Sequence, residues 1–129
     1  MFWVVTAARV LLGLPFVVFG LNHFLHLFTM PQPSMTEQAG NFMGAMLASG
    51  YIDVVKVLEV VGGFLVLSGR FVPLGLVILT PVAVNIALFD ILLMKQPGLG
   101  VILTGLCIFL VWAYRSHFAS VFAAKPQIG

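Results

Sequence analysis

Apolar positions fall into four long runs: Phe2 to about Phe28, Val54 to Ser68, about Pro73 to Met94, and Leu99 to Tyr114. A transmembrane helix takes about 20 apolar residues, with a range of about 17–25. Each run is read as a span, the second a short one with little tilt or with help from its flanks. The links between runs are legible. In Gly69-Arg70-Phe71-Val72-Pro73, glycine suits the position after a helix and proline the start of the next. Gln96-Pro97-Gly98 is a second turn signal. Short links make antiparallel neighbours, so the pattern predicts an up-down bundle.

The one long connection runs from Thr29 to Asp53. Within it, Ser34-Met35-Thr36-Glu37 has capping-box form, and Phe42, Met43, Met46 and Leu47 recur at helical spacing before Gly50. An amphipathic helix is expected over about 35–48, lying on the membrane surface or capping the bundle. Asp53 is expected to cap the second span. The expected fold is all-α: a polytopic membrane protein, an antiparallel four-transmembrane-helix bundle with an extracytoplasmic amphipathic helix between helices 1 and 2. It makes a single domain over 1–129.

Composition agrees with a membrane protein. Hydrophobic residues are 61% and charged residues 8% of 129, against about 45–50% and about 25% in soluble domains. The net charge of +2 contains no basic run that would suggest nucleic acid. Cys107 is the only cysteine, which excludes an intrachain disulfide or a two-thiol relay within one subunit. It is read as a small apolar side chain of the last span. The first run is not expected to be cleaved as a signal peptide: Arg9 interrupts it, and no basic segment precedes it or small-residue site follows it. Arg9, Arg70, Arg115 and Lys125 gather at one side of the predicted bundle, against Lys56 and Lys95 at the other. The positive-inside rule then places both termini in the cytoplasm and the long loop outside, in a multi-pass protein of the cytoplasmic (inner) membrane.

Polar residues within or beside the spans are the candidate chemistry: Arg9, Asn22, His23, His26, Lys56, Glu59, Asn85 and Asp90. Hydrocarbon does not solvate such groups, so they face a bundle interior or a wet cavity. With the predicted orientation, seven of the eight share the outer half, His26 near the rim, and only Arg9 enters from the cytoplasmic side. The candidate polar chamber is Arg9, Asn22, His23, Lys56, Glu59, Asn85 and Asp90. Most members also have a structural reading, His23 as a hydrogen-bonded structural imidazole among them. Lys56 and Glu59 form an i,i+3 ion pair on one helix, Arg9 snorkels to the interface, Asn85 joins two helices, and Asp90 pairs with Lys95. No metal site is expected, because His23-x-x-His26 lacks further ligands. His117, on the opposite side, does not complete a bis-histidine haem site.

Gly20-Leu21-Asn22-His23, Ser49-Gly50-Tyr51, Lys56-x-x-Glu59-x-x-Gly62-Gly63, Gly69-Arg70-Phe71-Val72-Pro73-Leu74, Pro81-Val82-x-x-Asn85-Ile86 and Trp112-Ala113-Tyr114-Arg115 occur in that order. Together they resemble the DoxX family of small membrane proteins over nearly the whole chain. The resemblance implies a four-helix inner-membrane protein related to the DoxD subunit of a thiosulfate:quinone oxidoreductase, in a family some of whose members are linked to oxidative-stress systems. The leading expectation is a redox-associated subunit whose chamber takes a quinone headgroup, with His23, Lys56 and Glu59 as candidate quinone ligands. It has no covalently bound cofactor, and its electrons come from redox partner proteins. The alternatives are a non-enzymatic scaffold that docks a partner through Ser34 to Ser49, and a small-solute carrier working as a homo-oligomer.

Overall fold

The computed structural model describes residues 2–29, 34–121, 123–125 and 127–128, and among them it is all-helical, with no strand. Helix α1 spans Phe2–Leu25, α2 Glu37–Ser49, α3 Tyr51–Ser68, α4 Val72–Leu88 and α5 Leu99–Ala113. A π-helical turn, Phe89–Leu93, continues α4, and a 3-10 turn, Arg115–His117, follows α5. Among the described residues two helices are long and apolar enough to cross a membrane: Phe2–Leu25 and Val72–Leu93. Helix α3 has 18 residues, but Asp53, Lys56 and Glu59 interrupt its apolar character, and α5 has only 15.

The helices close a ring, α1 on α3, α3 on α4, α4 on α5 and α5 back on α1, while α2 lies against α3 and the π turn. Contacts run in opposite directions along each pair. Gly13 meets Gly63 while Gly20 meets Val60; Gly62 meets Leu79 while Gly75 meets Val66. The core holds Leu12, Phe16, Val66, Leu76, Leu79 and Leu110. Cys107 is fully buried among them, as its sequence context suggested. At the α1–α3 seam the backbones touch: a Cβ on Gly63 would lie 3.0 Å from the Gly13 carbonyl oxygen. Only glycine permits this approach, which gains dispersion contacts along the seam. The outward faces are apolar too, with Leu14, Phe64, Val77, Leu88, Ile102 and Ile108 exposed.

Several boundaries differ from those the sequence predicts. Helix α1 stops at Leu25, not Phe28, because the Asn22 side-chain carbonyl accepts the Phe28 N–H at 2.9 Å and His26 turns left-handed at φ 52°. The cap of α2 is Thr36, not Ser34: its hydroxyl accepts the Ala39 N–H at 3.2 Å and itself donates to the Leu93 carbonyl. That second bond ties the start of α2 to the π turn. Asp53 does not cap α3. The helix begins at Tyr51, directly after Gly50, whose left-handed φ of 78° ends α2 and turns the chain into α3. Asp53 therefore sits in the first turn with its carboxylate free for another partner. Gly69, also at φ 78°, ends α3, and Pro73 occupies the first turn of α4, as expected. Pro15 and Pro81 lie inside continuous helices. Residues 30–33 of the long connection are outside the described residues.

Candidate functional site

Helix α3 presents Asp53, Lys56 and Glu59 at successive intervals of three, a slowly rotating ladder on the side that meets α1. Glu59 is the one charged side chain buried among the described residues, at 5% exposure. The Lys56 ammonium stands 3.1 Å from its Oε2. That is ion-pair distance, although this oxygen has no hydrogen bond of good angular geometry. The pair that the sequence suggested is therefore formed, at the edge of an apolar space.

That space is a half-open cleft of about 250 Å³ lined by Pro15, Phe16 and Phe19 of α1, Lys56 and Glu59 of α3, Ile86 of α4, and Leu99 and Leu103 of α5. Four helices thus contribute walls, and only α3 contributes charge. A cation and an anion in the wall of an otherwise apolar slot can hold one small polar head in place. The apolar walls leave the rest of an amphiphilic ligand in a hydrocarbon-like setting.

His23 lies one turn beyond Phe19 on α1. Its Nε2 is 2.7 Å from the Asp53 Oδ1, so the two side chains bridge α1 to the first turn of α3. Of the predicted chamber, then, Lys56 and Glu59 line the cleft, and His23 is joined through Asp53 to the turn of α3 that precedes them. Sequence reasoning missed Asp53 as their neighbour. Its signal was the spacing Asp53-x-x-Lys56-x-x-Glu59, which places it on the same side of the helix.

The other four predicted members are elsewhere, each with a structural task. Arg9 donates from Nε to the Val66 carbonyl at 3.1 Å and lays its guanidinium against Gly69. It closes the C-terminal end of α3, where unpaired carbonyls and the helix dipole favour a cation. Asn22 stops α1 through Phe28, as described above. Asn85 is exposed on α4, and its amide donates to the Pro81 carbonyl of its own helix at 3.0 Å, so it neither joins helices nor faces the cleft. Asp90 pairs with the start of α5 rather than with Lys95: its Oδ2 accepts the Gly100 N–H at 3.2 Å. Gly98, the residue before α5, has no side chain to cap with, and Asp90 supplies the carboxylate from the π turn. His26 is exposed at the rim.

The chain is 32% identical over 128 residues to the uncharacterized protein YwoB of Bacillus subtilis (strain 168), an alignment covering 92% of this chain and 81% of that protein. No protein-family model matches the chain. No solved structure matches it.

Proposed function

The chain belongs to the family of YwoB, and we propose, from its sequence motifs and its cleft, that it is a DoxX-like, redox-associated membrane subunit that binds a quinone headgroup. In this reading α1, α3, α4 with its π turn, and α5 all span the bilayer, as an antiparallel four-span bundle of the cytoplasmic membrane. At about 1.5 Å per residue, α3 reaches about 27 Å and α5 about 22 Å, near the hydrocarbon thickness of about 30 Å once flanking residues are added. Apolar outward faces on all four helices support this, since a soluble bundle would leave them in water. Both termini are cytoplasmic by the distribution of Arg9, Arg70, Arg115 and Lys125, and α2 lies on the outer surface.

The observation that carries the quinone reading is the cleft lined by both the Lys56–Glu59 pair and the apolar side chains of Phe16, Phe19 and Leu103. A quinone carbonyl accepts a hydrogen bond from an ammonium, and a carboxyl group can exchange a proton with it. The volume, about 250 Å³, is just below the about 300–1,000 Å³ of sites for drug-sized ligands. That suits a single ring whose isoprenoid tail stays in the bilayer. Electrons would come from a partner protein. A photoreactive short-tail quinone tests this in lipid discs. Labelling should concentrate on Pro15 to Phe19 and Leu99 to Leu103 and be competed by unlabelled quinone. Labels spread evenly over the lipid-facing helices would count against the site.

The scaffold reading keeps one specific support. Phe42 and Leu47 of α2 and Tyr51 at the start of α3 are exposed, and with Ala45, Met46 and Ser49 they include the lining of an apolar hollow. Loss of a captured partner on replacing Phe42 and Leu47, with the bundle intact, would favour it.

A further inference from the structure

Glu59 brings an unmet requirement to the cleft. Its side chain is almost wholly buried, and it lines the cleft together with Lys56. An ionised carboxylate accepts hydrogen bonds at both oxygens and donates none. The Lys56 ammonium stands at ion-pair distance, 3.1 Å from Oε2, yet that oxygen has no hydrogen bond of good geometry among the described residues. The rest of the lining, Pro15, Phe16, Phe19, Ile86, Leu99 and Leu103, has no side-chain donor to offer. An occupant of the cleft displaces water, so it either supplies the missing donor or leaves a buried acceptor unsatisfied.

We propose that the cleft takes the reduced form of its ligand, a hydroquinone, in preference to the quinone. One ring hydroxyl donates to the Glu59 carboxylate, and the same oxygen accepts from the Lys56 ammonium. A hydroxyl can do both at once, whereas a quinone carbonyl carries lone pairs and no proton. The quinone therefore satisfies Lys56 but sets its lone pairs against the carboxylate. A site discriminates strongly against an analogue that lacks the donor, because its own buried polar group is then left unpaired. Binding makes and breaks no covalent bond and moves no electron. Holding the reduced form more tightly raises the potential of the bound couple, which favours reduction of a quinone seated there.

The inference rests on the reading of the cleft as a quinone-headgroup site and names the redox form that the site prefers. A short-tail hydroquinone, kept reduced in the absence of oxygen, and the quinone of the same skeleton are titrated separately onto the full chain in lipid discs, with protein-free discs as background. The hydroquinone should bind about 10–100-fold more tightly, as a hydrogen bond to a charged group allows. The midpoint potential of the bound couple should then lie about 30–60 mV above that in protein-free discs, at about 30 mV per tenfold for two electrons. Both readouts use the unmodified protein and do not depend on the folding of a variant. In Glu59→Gln, whose amide donates as well as accepts, the preference should fall to about threefold or less. Equal affinities, or a tighter quinone, would overturn the preference while leaving the quinone site standing. An undiminished preference in Glu59→Gln would overturn Glu59 as the acceptor. No saturable binding of either form would overturn both this inference and the quinone reading.

Discussion

Removing Lys56 should cost the fold far more than removing its partner, and the two losses should not add. The pair is intermediate in environment: Lys56 keeps 23% of its side-chain exposure, while Glu59 keeps 6%. Exposed pairs couple by about 0.2–1 kcal/mol, whereas removing one partner of a fully buried pair costs about 3–5 kcal/mol. Lys56→Met leaves the carboxylate in the cleft among Phe16, Phe19 and Leu103 without its cation, so a loss of about 3 kcal/mol is expected. Glu59→Gln leaves an ammonium that still reaches solvent, and a loss of about 1 kcal/mol is expected. In the double variant neither charge is stranded, and the total should fall close to that of Glu59→Gln alone. The coupling free energy is then about 2–3 kcal/mol. Reversible unfolding of the four proteins in mixed micelles measures it. Additivity within about 0.5 kcal/mol, or a larger loss for Glu59→Gln than for Lys56→Met, would refute the account of the pair.

Further outcomes follow from the helix ends and the α1–α3 seam. Asp90→Ala should destabilise by about 1–2 kcal/mol through loss of the carboxylate at the start of α5, and Asp90→Asn by less; both are read as shifts in the same unfolding midpoint. Arg9→Met should cost about 1 kcal/mol by leaving the Val66 carbonyl with the Gly69 N–H as its one donor, and increase hydrogen exchange at the C-terminal end of α3. Gly63→Ala puts a methyl 3.0 Å from both the Gly13 carbonyl oxygen and Val17 Cγ2. It should cost about 1–3 kcal/mol, and an unchanged midpoint would show that the seam is looser than described.

The helices were legible because each apolar run is bounded by its own punctuation: Gly50, Gly69 with Pro73, and Pro97 with Gly98. The Lys56–Glu59 pair was legible because i,i+3 spacing on one helix needs no tertiary information. Which way each remaining polar group faces was not. Helix α4 is apolar nearly all round, so its sequence has no stripe to set its rotation. Its buried line passes through Gly75, Leu76, Leu79 and Ala83. Asn85, two residues or about 200° past Ala83, therefore turns outward. Asp90 was placed by a long-range contact: the π turn brings it to a helix start ten residues later, and no local spacing encodes that. Asp53 looked like a cap because it is an aspartate at the edge of an apolar run. Gly50 starts the helix earlier and frees that carboxylate for His23.

The most direct test of the central claim is the quinone content of the purified protein. The full chain is extracted into polymer discs that retain native lipid, and quinone in the organic extract is quantified by mass spectrometry against bulk lipid. The account predicts about one quinone per subunit, enriched over its membrane abundance, and a marked fall in the Lys56→Met, Glu59→Gln double variant. Quinone at its bulk-membrane ratio in both proteins would contradict a headgroup site in this cleft.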